Sequence, residues 1–431
     1  MLVAALAVAT LAVPAIAAAS TYTAGSPVTA SAVVSPLTGC TAVGPGTNYP
    51  NTEVEPWVAV NPTNAKNVVA TWQQDRYSGG AAKGSSVGVS TNGGSSFTTI
   101  NIPGLTICSG GTFERASDPW LSFSPNGTLY AMSLVETKLP TGVNNPNGMA
   151  VSRSVDGGLT WGVPTYVIND TDPTKFNDKN SLTADPFDSH YVYAIWDRLD
   201  APIGQGSIKS AENAVGYRGP TWFARSVDGG ISWEPARQIF VPGNNDQTIG
   251  NVIVVLPNGT LVDVFDLVKN DNKGNVKGLS VAALTSTDHG LTWSSQPTII
   301  STLNFVQVTD PDTGALVRTG DINPEVTVDP KSGNLYVVWQ DGRFSGGARS
   351  AVAFSQSTNG GRTWSAPARI STSTAVSAFT PSIAVASDGT VGVSYYDFRN
   401  NTAAPGLPTD MWFTHCHSAC TDPANWSETH A

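Results

Sequence analysis

The chain has 431 residues, only 13% of them charged, with 42 glycines and 29 prolines. So few charges and so many turn formers suit short strands joined by tight turns, and they exclude a helical bundle. A formal net charge of −10, with no Lys/Arg-rich run to offset it, repels phosphate backbones and excludes nucleic acid as a partner.

Residues 1–19 are a short apolar run, and Ala15-Ile16-Ala17 fits an A-x-A cleavage site, so the segment reads as a signal peptide. Pro14 and the limited apolar length argue against a membrane anchor. No other stretch is long and apolar enough to span a bilayer, so the mature chain is expected to be secreted without a membrane span. Residues 20–52 form an N-terminal extension. The four cysteines suit an oxidising compartment and are expected to pair as Cys40 with Cys108 and Cys416 with Cys420. The alternative is a metal site at Cys416 flanked by His415 and His417, but its spacing matches no standard zinc pattern.

From residue 53 onward one octad recurs. It reads Ser90-Thr-Asn92-Gly-Gly94-Ser-Ser96-Phe97, Ser154-Val-Asp156-Gly-Gly158-Leu-Thr160-Trp161, Ser226-Val-Asp228-Gly-Gly230-Ile-Ser232-Trp233, Ser286-Thr-Asp288-His-Gly290-Leu-Thr292-Trp293 and Ser357-Thr-Asn359-Gly-Gly361-Arg-Thr363-Trp364. The Asp or Asn accepts backbone N–H bonds along the turn. Glycine supplies positive φ, and the hydroxyls close the remaining backbone bonds. The final aromatic ring anchors the turn on a neighbouring sheet. Asn92, Asp156, Asp228, Asp288 and Asn359 are therefore structural residues and not catalytic ones.

Each octad follows the same layout. A first strand starts near a Pro or Asn, as in Glu55-Pro56-Trp57 and Asp118-Pro119-Trp120. A turn such as Pro125-Asn126-Gly127-Thr128 leads to a second alternating strand, then come a variable loop, a third strand, the octad and a fourth strand. Four antiparallel strands per unit make one propeller blade. Units fall at 53–100, 118–168, 178–240, 248–300, 321–370 and 380–428, which predicts an all-β, six-bladed β-propeller over residues 53–431. The sixth unit lacks an octad, with the Cys416–Cys420 loop and Trp426 in its place. Its outer strand is expected to be short or absent, with residues 21–50 available to complete the ring.

Five copies of S-x-[DN]-x-G-x-[TS]-[WF] resemble the Asp-box, or BNR, repeats of the sialidase superfamily, over about residues 53–428. The resemblance implies Asp boxes on the rim and a site on the opposite face near the axis. It also implies three arginines that clamp a substrate carboxylate, a Tyr nucleophile helped by a Glu, and an Asp acid/base. In this chain no arginine precedes Pro56, and the loop Tyr77–Gly84 carries no carboxylate. By position, Arg76 or Arg115 would supply the missing clamp, and Asp75 or Asp118 the acid.

The ends of the second strands carry a further repeat: Asp75-Arg76, Asp197-Arg198, Asp341-Gly-Arg343 and Asp397-Phe-Arg399. The planar guanidinium fork suits a carboxylate, so Arg76, Arg115, Arg198, Arg343 and Arg399 are the expected substrate-binding residues. Tyr396, beside Tyr395 and Asp397, is the expected nucleophile. Glu325 starts a strand near the axis and joins Asp75 and Asp118 as a catalytic candidate. The segments between units add Glu114, Asp178-Lys179 and Asp321. The competing reading is that each recurring Asp–Arg pair is a structural ion pair, since scaffold residues recur with the scaffold.

Asn126, Asn258, Asn400 and Asn425 lie in N-x-[ST] sequons. No cofactor motif is present. Structural calcium is conceivable at Asp/Asn-rich loops such as Asn169–Asp178, although EF-hand spacing is lacking. The sequence thus predicts a monomeric, secreted, sialidase-like exo-glycosidase acting on anionic sugars of glycans. The alternatives are a non-catalytic glycan- or protein-binding propeller and a polysaccharide lyase acting on uronic acids.

Overall fold

A computed structural model of the chain describes residues 22, 25–41, 44–139, 144–201, 218–271, 275–320, 323–402, 404, 406 and 409–431. The predicted signal peptide and Asp321 lie outside the described residues. The protein is all-β. Six consecutive antiparallel meanders of four strands each cover 53–101, 115–170, 175–240, 247–302, 325–369 and 378–430. They form five sheets and not six separate ones, because the first two meanders join through a single pairing of Ala82 with Ala116. Two methyl side chains let those backbones approach.

The meanders pack face to face in chain order. Val69, Val87 and Val89 of the first meet Leu121, Phe123 and Ala131 of the second. Tyr130, Met132 and Leu134 of the second meet Leu182, Ala194 and Trp196 of the third. The same pattern repeats between the third and fourth meanders, the fourth and fifth, and the fifth and sixth. Strand alternation explains this: odd and even side chains of each second strand serve two different neighbours. Trp57 and Trp120 from two first strands stack with ring centroids 3.6 Å apart, and Trp57 Nε1 donates to the Leu121 carbonyl at 3.1 Å.

Five of the six first strands break register at one shared place. A residue there takes positive φ: Glu55 (54°), Asp118 (48°), Lys179 (41°), Gly250 (70°) and Thr380 (50°). The shifts fall between Val54 and Trp57, Ser117 and Trp120, Ile249 and Val252, and Phe379 and Ser382. In the third meander, Asp178 and Ser181 flank the break. These are bulges, in which two residues oppose one and the side chains are re-aimed. At Gly250 a Cβ would lie 2.8 Å from Asn323 Oδ1, so glycine is required both by φ and by space.

The octads form closed local networks. Ser154 Oγ donates to Asp156 Oδ1 at 2.8 Å and accepts from Gly158 N at 2.9 Å, while Thr160 N donates to Asp156 Oδ1 at 2.9 Å. Asp228 and Asp288 sit in the same arrangement. In the Asp versions the hydroxyl also donates, as Thr160 Oγ1 does to Asp156 Oδ2 at 2.5 Å; in the Asn versions this bond reverses, and Asn359 Nδ2 and Asn92 Nδ2 donate to Thr363 Oγ1 and Ser96 Oγ. Hydrogen bonds from Ser232 hold Asp228 at about 2, so its carboxylate is committed to the turn.

Both expected disulfides are present, Cys40–Cys108 and Cys416–Cys420. The sixth meander does have an outer strand, Ser427–His430, short and paired with Trp412–His415. The N-terminal segment runs from the sixth meander to the first. Thr429 Oγ1 donates to the Tyr22 carbonyl, and the Tyr22 ring packs edge-on to His415 and Phe413. Further along, Leu37 is buried beside Gly84, and Ser35 Oγ donates to Asp75 Oδ2 at 2.9 Å.

Asp263 is fully buried in the fourth meander, with no side-chain partner for its carboxyl and only the Val252 backbone N–H to favour its charge. Burial raises its pKa well above the ordinary carboxylate range. The unfolded chain ionises near pH 4, so this group destabilises the fold increasingly as pH rises above that value. Replacing Asp263 by Asn is expected to stabilise the protein by about 1–3 kcal/mol at pH 8 and by little at pH 4. Thermal melts at the two pH values check this.

Candidate functional site

The bulges of the first three meanders bring Glu55, Asp118 and Lys179 together. Lys179 Nζ lies 3.2 Å from Asp118 Oδ2 and 3.7 Å from Glu55 Oε1. Arg318, on the segment between the fourth and fifth meanders, reaches Glu55 Oε1 at 3.8 Å. Gln73 Nε2 donates to Glu55 Oε2 at 2.7 Å and to Ser117 Oγ at 3.0 Å, and Ser117 Oγ donates to Asp118 Oδ1 at 2.5 Å. Arg76 Nη1 in turn donates to Gln73 Oε1 at 2.9 Å. Asn180 Nδ2 fixes the Asp118 backbone carbonyl at 2.9 Å.

Glu55 and Asp118 share a hydrogen bond and divide their protonation. Burial raises the Glu55 pKa, and the Asp118 charge beside it raises it further. Burial also works against ionisation of Asp118, but Lys179, with hydrogen bonds from Glu55 and Ser117, outweighs it and holds Asp118 at about 2. The two groups are thus driven apart, Glu55 upward and Asp118 downward. Burial alone would lower the Lys179 pKa, and the carboxylates of Asp118, Glu55 and Asp178 reverse this and raise it. Asp178 is pushed up to about 7 by burial and by Asp118. Asp197 is raised well above its usual range by burial and by Asp178, and its buried carboxyl oxygens have no hydrogen-bond partner. A half-buried proton donor next to a fixed anion is the arrangement of an acid–base pair.

The other expected site residues are scattered. Asp75 is fully buried and anchors the N-terminal segment, accepting from Ser35 Oγ and from Asn51 N at 2.9 Å, with Lys83 at 3.5 Å. Arg115 is buried under Tyr77 and donates to the Gly80 and Pro45 carbonyls. Nearby Glu136 is pushed up to about 7, chiefly by burial. Arg198 pairs with Asp170 at 2.8 Å and lies over Trp222. Arg343 pairs with Asp341 at 2.8 Å. Arg399 bridges Asp397 at 2.7 Å and Glu428 at 2.6 Å above Trp412. The arginines thus occupy separate meanders, each held by local acceptors. Glu325 is half-buried and pushed up to about 8 by burial. Tyr396 is exposed and stacks on Phe379. In the loop preceding Asp178, Asp170 is taken by Arg198, and Asp172 accepts from Thr174.

Of the residues that the sequence put on the ligand face, the structure places Asp118, Lys179 with its neighbour Asp178 and, through Gln73, Arg76 at this cluster. Sequence reasoning missed Glu55, Gln73 and Arg318. A signal for Glu55 was present: an acid followed by Pro-Trp occurs both at 55–57 and at 118–120. Arg318 lies in an irregular segment with no motif, and only folding brings it to Glu55.

Neither a family model nor a curated protein sequence matches the chain. Among solved structures, it resembles an ulvan lyase of polysaccharide lyase family PL25 (TM-score 0.54, 10% identity, covering 83% of this chain and 78% of that one). It also resembles an α-L-arabinanase of Penicillium chrysogenum (TM-score 0.51, 16%, covering 80% and 88%). A third is an α-L-arabinofuranosidase of Fusarium graminearum (TM-score 0.50, 14%, covering 81% and 91%). These likenesses establish a β-propeller-type fold; at such identities they carry nothing about the reaction.

Replacing Lys179 by Met removes the cation that keeps Asp118 ionised, so the pKa of Asp118 is expected to rise. Any activity that needs the Asp118 anion should then lose its acid-side tolerance at a higher pH than in the unaltered protein. A pH–rate profile checks the shift, and an unchanged acid limb would remove Lys179 from the pair.

Proposed function

We propose that the protein is a secreted, six-bladed β-propeller glycoside hydrolase whose acid–base pair is Glu55 and Asp118. The single observation that carries this reading is the convergence of the Glu55 and Asp118 carboxyls on Lys179 Nζ, at 3.7 and 3.2 Å, from two successive first strands. The six meanders correspond to six blades, the first two joined at one pairing. Two disulfides support export, and among the described residues no helix is long and apolar enough to cross a membrane. The carbohydrate-acting names of the structural neighbours fit the same class without selecting a sugar.

In this reading Glu55 gives its proton to the glycosidic oxygen as the bond between that oxygen and the anomeric carbon breaks, water adds to the anomeric carbon, and the proton that the water loses restores the Glu55 carboxyl. Asp118 and Lys179 hold the Glu55 carboxyl in place, and burial with the neighbouring Asp118 charge raises its pKa. The exo-α-sialidase specificity expected from the Asp boxes calls for converging arginines. Arg115, Arg198, Arg343 and Arg399 are each committed elsewhere, so we carry the hydrolase forward without sialic acid as its substrate. A uronate lyase is the second reading, favoured by the two cations Lys179 and Arg318 beside Glu55, which suit a uronate carboxylate.

The test is turnover by the purified mature chain. The panel is fluorogenic arabinofuranoside, hexosides and sialoside, together with uronans followed by the absorbance of unsaturated products. Hydrolysis of a neutral glycoside, reduced about 10²–10⁴-fold in Glu55→Gln, is the expected outcome. Rate should fall as pH rises through the elevated Glu55 pKa, because the donor proton is lost. Unsaturated products would establish the lyase, and full activity in Glu55→Gln would remove this pair from the chemistry.

A further inference from the structure

Three octads are closed by a side chain from the meander before them. At the fourth residue of the octad, the Gly157 carbonyl accepts from Asn67 Nδ2 at 3.1 Å, the Gly229 carbonyl from the Tyr130 hydroxyl at 2.8 Å, and the His289 carbonyl from Arg225 Nη1 at 2.8 Å. The fifth octad breaks the pattern. Among the described residues no side chain donates to the Gly360 carbonyl. Strand register gives the reason. Thr260 precedes its second strand as Asn67 does, Val262 is the second residue of that strand as Tyr130 is of its own, and Thr285 pairs with Val262 as Arg225 pairs with Tyr193. Valine has no donor, and each threonine is shorter than the residue whose place it takes. A Cβ on Gly157 would lie 2.5 Å from Asn67 Oδ1, whereas one on Gly360 would meet nothing nearer than Leu256 Cδ1 at 3.6 Å.

The space left by these short side chains is a cavity of about 440 Å³ between the fourth and fifth meanders. Gly360 and Thr285 line it, Leu256 and Pro257 give it an apolar patch, and Lys331 and Arg362 give it two cations. No carboxylate lines it, although acids outnumber basic residues 33 to 23 in the chain. Lys331 Nζ also donates to the Ser387 carbonyl. Arg362 is exposed and, among the described residues, has no hydrogen-bond or ion-pair partner. No His, Cys or Tyr is present to act as base or nucleophile, so the cavity is built to bind and not to react. It also lies away from the acid pair: Leu256 follows the Gly250 bulge by six residues, about 20 Å along an extended strand. A sugar residue carrying a carboxylate or sulfate has the matching groups. Its anion suits the guanidinium, its hydroxyls suit the Gly360 carbonyl and the threonines, and its C–H face suits Leu256 and Pro257.

We propose that the cavity between the fourth and fifth meanders is a non-catalytic binding site for an anionic sugar residue of a polysaccharide, either a uronate or a sulfated sugar. Its negative group sits on Arg362, and one of its hydroxyls supplies the donor that the fourth meander does not offer to the Gly360 carbonyl. The site goes beyond the hydrolase reading and does not depend on it, because it stands even if Glu55 is inert. Bound there, a polymer is held on the octad side of the molecule, apart from Glu55 and Asp118.

Titration calorimetry of the mature chain tests it and needs no turnover. Asn258 lines the cavity and opens a sequon, so the chain is made in a host that leaves it unglycosylated. The titrants are an oligogalacturonate, a sulfated galactan oligosaccharide, a linear arabinan oligosaccharide and inorganic sulfate. At least one of the two anionic oligosaccharides is expected to bind, and which one does identifies the anion; the neutral one is expected to bind roughly tenfold more weakly or not at all. Arg362→Gln is expected to weaken the binding by roughly tenfold or more, with an unchanged thermal melt because Arg362 is exposed. Val262→Tyr restores the kind of side chain found at Tyr130, and is expected to fill the cavity and abolish binding; if that variant does not fold, Arg362→Gln decides alone. Glu55→Gln is expected to bind as the unaltered chain does. The site is overturned if neither anionic oligosaccharide binds, if Arg362→Gln or folded Val262→Tyr binds normally, or if arabinan binds equally well. Inorganic sulfate binding as tightly as the oligosaccharides would reduce it to an anion site. Loss of binding in Glu55→Gln would move the ligand to the acid pair and overturn it as well.

Discussion

The meeting of Glu55, Asp118 and Lys179 depends on a backbone irregularity. A strand that kept regular alternation would send Glu55, Asp118 and Lys179 to the faces packed between meanders. The bulge in five of the six first strands, with one residue in the left-handed region, re-aims those side chains. Such a conformation costs roughly 1–3 kcal/mol per non-glycine residue, and the surrounding ladder holds it. Pro56, Pro119 and Pro381 follow three of the bulged residues and supply no N–H to the ladder where its register fails. Where the fourth meander uses Gly250, the bulge remains but no side chain enters the site.

Once three such side chains meet, electrostatics sets their protonation. Two carboxyls in contact cannot both ionise in a poorly solvated place. The lysine beside them stabilises one charge, and the hydrogen bond from Ser117 directs it to Asp118. Elsewhere the same chemistry serves structure. Of the four Asp–Arg repeats at the strand ends, Asp341–Arg343 and Asp397–Arg399 form ion pairs, whereas Arg198 pairs with Asp170 of the second meander and Arg76 donates to Gln73; Arg399 adds Glu428 and Trp412. Recurrence is the mark of scaffold here, whereas the acid pair lies where two copies of one motif, Glu55-Pro56-Trp57 and Asp118-Pro119-Trp120, are brought into contact by the first two blades.

The meanders are unequal for a similar reason. Aliphatic residues at one register of the first strands are buried against the preceding meander in five of the six, as at Leu121 and Leu182, whereas the counterpart in the first meander, Val58, is exposed. Among the described residues the N-terminal segment and the contacts of Arg318 and Thr319 with Glu55 and Thr380 link the sixth meander and the first.

Local rules made the scaffold legible in the sequence. The octads read as turns because a Ser, an Asp or Asn and two glycines satisfy their own hydrogen bonds whatever surrounds them, and even the reversed bond in the Asn versions follows from the amide. The two disulfides and the meander spacing were likewise readable. The site was not, because it is made by residues 55, 118, 179 and 318, which no window of sequence joins. Asp75 and Arg115 looked available on a linear reading, yet the fold spends them on anchoring the N-terminal segment and its neighbouring loop. Which carboxyl keeps its proton, which arginines are already satisfied and which blade face stays open are decided by burial and proximity, and those exist only after the chain has folded.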